Sequence, residues 1–70
     1  MFAMQYTNIG LNVLKHRRLK NMTQIQLAET AGISRAKISD IERGRGPYSI
    51  ELVFLLAKAL DVEYEQLIQR

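Results

Sequence analysis

Residues 23–43 read TQIQLAETAGISRAKISDIER, and this stretch decides the fold. Thr23 has the chemistry of a helix N-cap, and Gln26 follows three residues later, the spacing of a capping box. Leu27 and Ala28 mark the apolar face of the helix so begun. Gly32 ends it, as a residue free to take positive φ. Ile33 follows as a buried hinge. Ser34 then caps a second helix whose apolar positions are Ile38 and Ile41, and Gly44 closes it. Two capped helices of about two turns each, joined by a glycine turn, make a helix-turn-helix unit.

The second helix carries Arg35, Ala36 and Lys37 in its first turn and Arg43 in its last, with Arg45 just beyond. A small residue between two long donors lets a backbone approach a surface closely while the donors reach past it. First-turn residues are the ones that meet base edges when such a helix enters the major groove. Two cations alone would read as a solvated face. The caps, the glycine turn and the flanking Gln24 favour the contact reading.

The words TQIQLAETAGIS, ISDIERG and LLAKALDV resemble the helix-turn-helix family of phage repressors and Cro, and within it the small controller proteins of restriction–modification systems. The matches span most of residues 9–68. The resemblance implies an all-α, five-helix bundle. It implies a sequence-specific transcriptional regulator, repressor or activator, that acts as a homodimer on a near-palindromic double-stranded DNA operator. RNA polymerase is a further candidate partner and the cytoplasm the expected location. An antitoxin, or another protein-interaction module on the same fold, is the alternative.

On this reading Arg35 donates in bidentate fashion to guanine, Ala36 touches a thymine methyl, Lys37 reads a neighbouring edge, and Ser39 is a weaker base contact. Ala36 and Lys37 replace the larger residues that controllers often carry, which implies a different operator. Gln24 matches a family glutamine that contacts the DNA backbone, and the free N–H groups of its helix start favour a phosphate. Ser34, Arg43, Arg45, Arg17 and Lys20 complete the expected phosphate set. Arg17 also matches a family arginine that pairs with the glutamate matched by Glu42. Four positions depart from the pattern: His16 replaces a leucine, Pro47 falls one residue early, Asp61 replaces a glycine and Glu63 replaces a serine cap. The last predicts a loose start for the final helix.

Seventy residues suit one domain, 1–70, with a modest core. The absence of cysteine excludes disulfides and thiolate metal sites. MFAMQYTN lacks the pattern of a signal peptide, and the longest apolar run, Leu52 to Ala57, is far short of the roughly 20 residues of a membrane span. Net charge is +3, unevenly spread: residues 1–47 hold eight cations and three anions, residues 48–70 two cations and four anions. A basic front and an acidic back suit a protein that meets a polyanion from one side.

Met1 to Tyr6 has neither cap nor period and is expected to fray. It holds no cation for a minor-groove arm, and Met4 is an alternative start. The first helix is predicted from Asn8 to Leu19, capped by Thr7 or Asn8. Ile9, Val13 and His16 stand at helical spacing, Leu11, Leu14 and Leu19 add apolar surface, and Asn21 ends the helix in a left-handed conformation. His16 reads as a half-buried side chain with a wet polar edge. The Gly44–Tyr48 loop cannot continue a helix. Ser49 caps a fourth helix with Ile50, Val53, Leu56, Ala57 and Leu60 on its core stripe, and a short fifth runs from Glu63 to Gln69 with Leu67 toward the core.

Phe54 and Leu55 fall off that stripe, and Tyr64 shares a face with Ile68. With Leu67 they form the expected dimer interface, apolar surplus on the acidic half. No catalytic constellation, cofactor motif or metal cluster is legible. One histidine and serines at cap positions do not make a nucleophile–base pair, and Gly44 and Gly46 lack the context of a phosphate loop.

Overall fold

A computed structural model describes residues 5–69. Five helices are present among them and no strand: α1 (Tyr6–Leu19), α2 (Gln24–Ala31), α3 (Arg35–Glu42), α4 (Ile50–Leu60) and α5 (Tyr64–Ile68). The expected alternative start at Met4 and the fraying expected of residues 1–4 lie outside the described residues, while Gln5 and Tyr6, expected to fray with them, cap and open α1.

The local punctuation works as chemistry. Thr23 Oγ1 accepts from the Gln26 N–H at 3.0 Å, and Gln26 Oε1 accepts from the Thr23 N–H at 2.8 Å. Gly32 takes φ 74°, and its N–H and that of Ile33 both donate to the Ala28 carbonyl. Ser34 Oγ then receives the Lys37 N–H at 3.1 Å, and Ser49 Oγ that of Leu52. Asn21 and Asp61 occupy the left-handed region at φ 56° and 57°, the conformation that ends a helix.

Two boundary expectations and one burial expectation are corrected. α1 starts at Tyr6, two residues before Asn8, with Gln5 as its cap. Neither Thr7 nor Asn8 caps it, and Asn8 Nδ2 instead donates to Gln5 Oε1. The early start is set by Tyr6, whose ring packs against Tyr48, so tertiary contact replaces a capping side chain. The start of α5 is not loose, because Gln66 Oε1 accepts the Glu63 N–H at 2.9 Å and closes the turn without a serine. Ile50 is not in the core: it is 42% exposed. It opens α4, and side chains in a first turn lean back toward the N-terminus, past the neighbouring helices. Tyr48 fills that end of the core instead.

Ile9, Val13, Leu27, Ile38, Ile41, Val53, Leu56, Leu60 and Leu67 form the sealed centre. α1 packs on α3 and α5, and α2 on α3 and α4. Gly10 explains how α1 comes so close to α3. A Cβ there would overlap the Ile41 carbonyl oxygen, so a mid-helix glycine, ordinarily unfavourable by about 1 kcal/mol, is required by the crossing. Asn12 ties the other side, its Nδ2 donating to the carbonyls of Leu67 and Gln69 at 2.8 and 2.6 Å. Ile33 is half-buried against the core rather than sealed in it, and Leu11 and Leu19 are exposed.

Candidate nucleic-acid interface

The starts of α2 and α3 lie side by side. A shallow depression of about 380 Å³ is lined by Arg17, Asn21, Met22, Thr23, Gln24, Ile25 and Arg35. It therefore joins the α1–α2 turn, the first turn of α2 and the first turn of α3. Thr23 and Ser34 each satisfy one N–H of their helix. The N–H groups of Gln24, Ile25, Arg35 and Ala36 have no acceptor among the described residues. Two helix N-termini with spare donors, set beside cations, favour anionic groups by direction as well as by charge.

A partly buried charge network fixes this arrangement. Arg17 Nε and Nη2 donate to Glu42 Oε2 and Oε1 at 2.5 and 3.1 Å, and Arg17 Nη1 donates to the Met22 carbonyl at 2.8 Å. Gln24 Nε2 donates to the same Glu42 Oε1 at 2.9 Å. One carboxylate thus locks α1, α2 and the last turn of α3 together. The pairing of Arg17 with Glu42 is as the resemblance implied. Arg17 differs from the other residues of the expected phosphate set: its side chain is 12% exposed and its charge is matched by Glu42, so it braces the surface from within. Gln24 keeps its backbone N–H and one amide proton available.

Most of the remaining expected contacts face water. Ser34, Arg35, Ala36, Arg43, Arg45 and Lys20 are exposed, and Ser39 is half-buried. Arg45 makes only a 3.7 Å, solvent-exposed pair with Asp40, too weak to withhold it from a phosphate. Lys37 differs from the other cations. It is half-buried, and its Nζ stands 5.8 Å from the centroid of the Tyr48 ring. Nothing in the spacing of charges pointed to Tyr48. The only available signal was an aromatic side chain directly after the proline. Exposed Ile25, also missed, sits in the depression beside Arg35 as an apolar contact surface.

His16 is half-buried, and its pKa is lowered by burial and then by Lys15 and Lys20. No group of three or more His, Cys, Asp or Glu side chains that could hold a metal is present among the described residues. None of their helices is long and apolar enough to cross a membrane.

A helix-turn-helix family profile matches residues 13–67. The chain belongs to the helix-turn-helix family. Among its helix-turn-helix relatives, the control protein C.SmaI of Serratia marcescens is 36% identical over 59 residues, which are 84% of this chain and 70% of that protein. The crystal structure of the restriction–modification controller C.AhdI from Aeromonas hydrophila superposes with a TM-score of 0.84 at 31% identity, over 89% of this chain and 94% of that one. The controller C.Esp1396I, solved as a tetramer on its natural 35 base-pair operator, gives a TM-score of 0.83 at 31% identity, over 96% and 93% of the two chains.

On the opposite half of this helix-turn-helix protein, Phe54 and Leu55 are 50% and 46% exposed. The Phe54 ring lies 4.4 Å from that of half-buried Tyr64, and Ile68 is half-buried. Leu67 leaves the expected interface set. It is 0% exposed, with its side chain inside the core and out of reach of a second copy.

Proposed function

We propose that this protein is a sequence-specific DNA-binding transcriptional regulator of the restriction–modification controller kind, acting as a homodimer on a near-palindromic operator. The observation that carries the reading is the pairing of two open helix N-termini with the exposed Arg35 at one depression, on a surface locked by Glu42. α3 enters the major groove, where Arg35, Ala36 and Lys37 meet base edges and Ser39 follows one turn later. Gln24, Ser34, Arg43, Arg45 and Lys20 hold phosphates on either side. The antitoxin reading has less support, because the controllers match over most of both chains.

Phe54, Leu55, Tyr64 and Ile68 supply the dimer contact. A two-fold axis there sets two copies of α3 roughly 34 Å apart, one turn of DNA, and so requires a symmetric site.

Selection of duplexes from a randomised library, followed by gel shifts at several salt concentrations, tests the reading. The expected outcome is a palindromic consensus bound with an affinity that falls steeply with salt. Arg35→Ala should lose about 1–3 kcal/mol on that consensus and flatten preference at one base pair per half-site, whereas Arg43→Ala should weaken all sequences alike and lower the salt slope by about one unit. Salt-independent binding, or full discrimination by Arg35→Ala, would refute the assignment.

A further inference from the structure

The two cations in the first turn of α3 are held differently. Arg35 is exposed, whereas Lys37 is half-buried with its ammonium 5.8 Å over the face of the Tyr48 ring. That ring is itself enclosed. Tyr48 is 8% exposed, packed into the core, and its ring centroid lies 4.7 Å from that of Tyr6 at an interplanar angle of 56°. Gly46 lies so close to the far ring that a Cβ there would run into its carbon atoms. The first residue of α1, the loop after α3 and the side chain of Lys37 therefore form one continuous stack. The Tyr48 hydroxyl has no hydrogen-bond partner among the described residues. What the ring offers is its face.

We propose that Tyr48 is a positioning residue for DNA reading: its ring face steers the Lys37 ammonium to the place from which it meets a base edge. The inference rests on the DNA-binding function proposed above and assigns part of its specificity. A lysine stem has four rotors, and ordering it in a complex opposes binding. A cation over an aromatic face restricts those rotors before DNA arrives, while the attraction is weak enough for a base acceptor to compete. Phosphate contacts made by other side chains do not pass through this stack. Tyr48 should therefore affect which sequence is bound, and leave binding to unrelated sequence unchanged.

The test is a cycle of Lys37→Met, Tyr48→Leu and the double variant, with Tyr48→Phe as the ring-retaining control. Each is assayed on duplexes selected by the wild type, with every base pair varied in turn. Tyr48→Leu should lower preference by about two- to fivefold at the base pair whose preference Lys37→Met abolishes. It should add nothing in the Lys37→Met background, and Tyr48→Phe should restore wild-type discrimination. Equal losses on selected and unrelated duplexes, or the same Tyr48→Leu effect in both backgrounds, overturn the proposal. Should Tyr48→Leu not fold, proton NMR decides with the wild type and Tyr48→Phe. Upfield ring-shifted ε-methylene protons of Lys37 in both support the positioning, and solvent-like shifts in the wild type overturn it. A wild type that binds all duplexes alike overturns the DNA-binding function and this inference with it. A wild type that discriminates, with Tyr48→Leu indistinguishable from it, overturns the role of Tyr48 alone.

Discussion

The α2–α3 half and the α4–α5 half combine directed bonds and apolar burial in different proportions. In the first, directed bonds add orientation to the burial of Leu27, Ile38 and Ile41: Thr23 with Gln26, Ser34 with the Lys37 N–H, Glu42 with both Arg17 and Gln24. In the second, Val53, Leu56, Ala57, Leu60 and Leu67 pack without direction, and the two bonds from Asn12 tie α5 to α1. Hydrogen bonds specify angle, whereas apolar burial asks only for area. The polar half therefore presents a defined charged face in a single copy. The apolar half has more nonpolar side chain than one small core can enclose, and Ile50, Phe54 and Leu55 are the remainder.

The strongest break in this contrast is Glu42→Ala. It leaves Arg17 buried without its counter-charge, and should lower stability by about 3–5 kcal/mol in urea unfolding. A loss below about 1 kcal/mol would mean that Arg17 swings into water and that the lock is dispensable. Gly10→Ala comes next, because it forces α1 away from the Ile41 carbonyl at the joint between the halves. Overpacking of this kind should lower stability by about 1–3 kcal/mol, read from thermal unfolding. An unchanged midpoint would show that the helices can separate freely.

Leu55→Glu acts on the apolar half alone. Monomer stability should stay within about 0.5 kcal/mol, while sedimentation equilibrium should register self-association weakened by about tenfold or more. Mutant and wild type associating equally would remove Leu55 from the interface. The smallest effect is expected at high pH. The Tyr48 pKa is pushed up to about 12 by burial and then by Tyr6, against an ordinary value of 10.0. The folded state thus keeps the phenol neutral where the unfolded chain would ionise it. Its contribution is complete below pH 10 and is lost as pH rises toward 12. Tyr48→Phe should show a flatter alkaline limb in chemical unfolding, and matching limbs would place the hydroxyl in water.

Helix starts and stops were legible where one turn of chain contains the whole cause. Thr23, Ser34 and Ser49 each accept an N–H three residues on, and Gly32, Gly44 and Asn21 take the positive φ their positions demand. The cations of α3 were equally legible as a group, since they follow a cap whose location is local. The start of α1 was not legible because the ring that holds Tyr6 belongs to Tyr48, far along the chain. The exposure of Ile50 was not legible because periodicity gives a face and not where the neighbouring helices end.

By itself the sequence determined five helices, the turn between α2 and α3, and a basic front with an acidic back, for these depend on neighbours in the chain and on charge counts. Only the tertiary structure decided which of those side chains face outward. Arg17 turns in to Glu42 while Arg35 turns out, Leu67 is sealed while Leu55 is bare, and Tyr48 leaves its loop to seat Lys37. Burial is a property of the partners that surround a residue, and those partners are brought together only when helices distant in sequence pack.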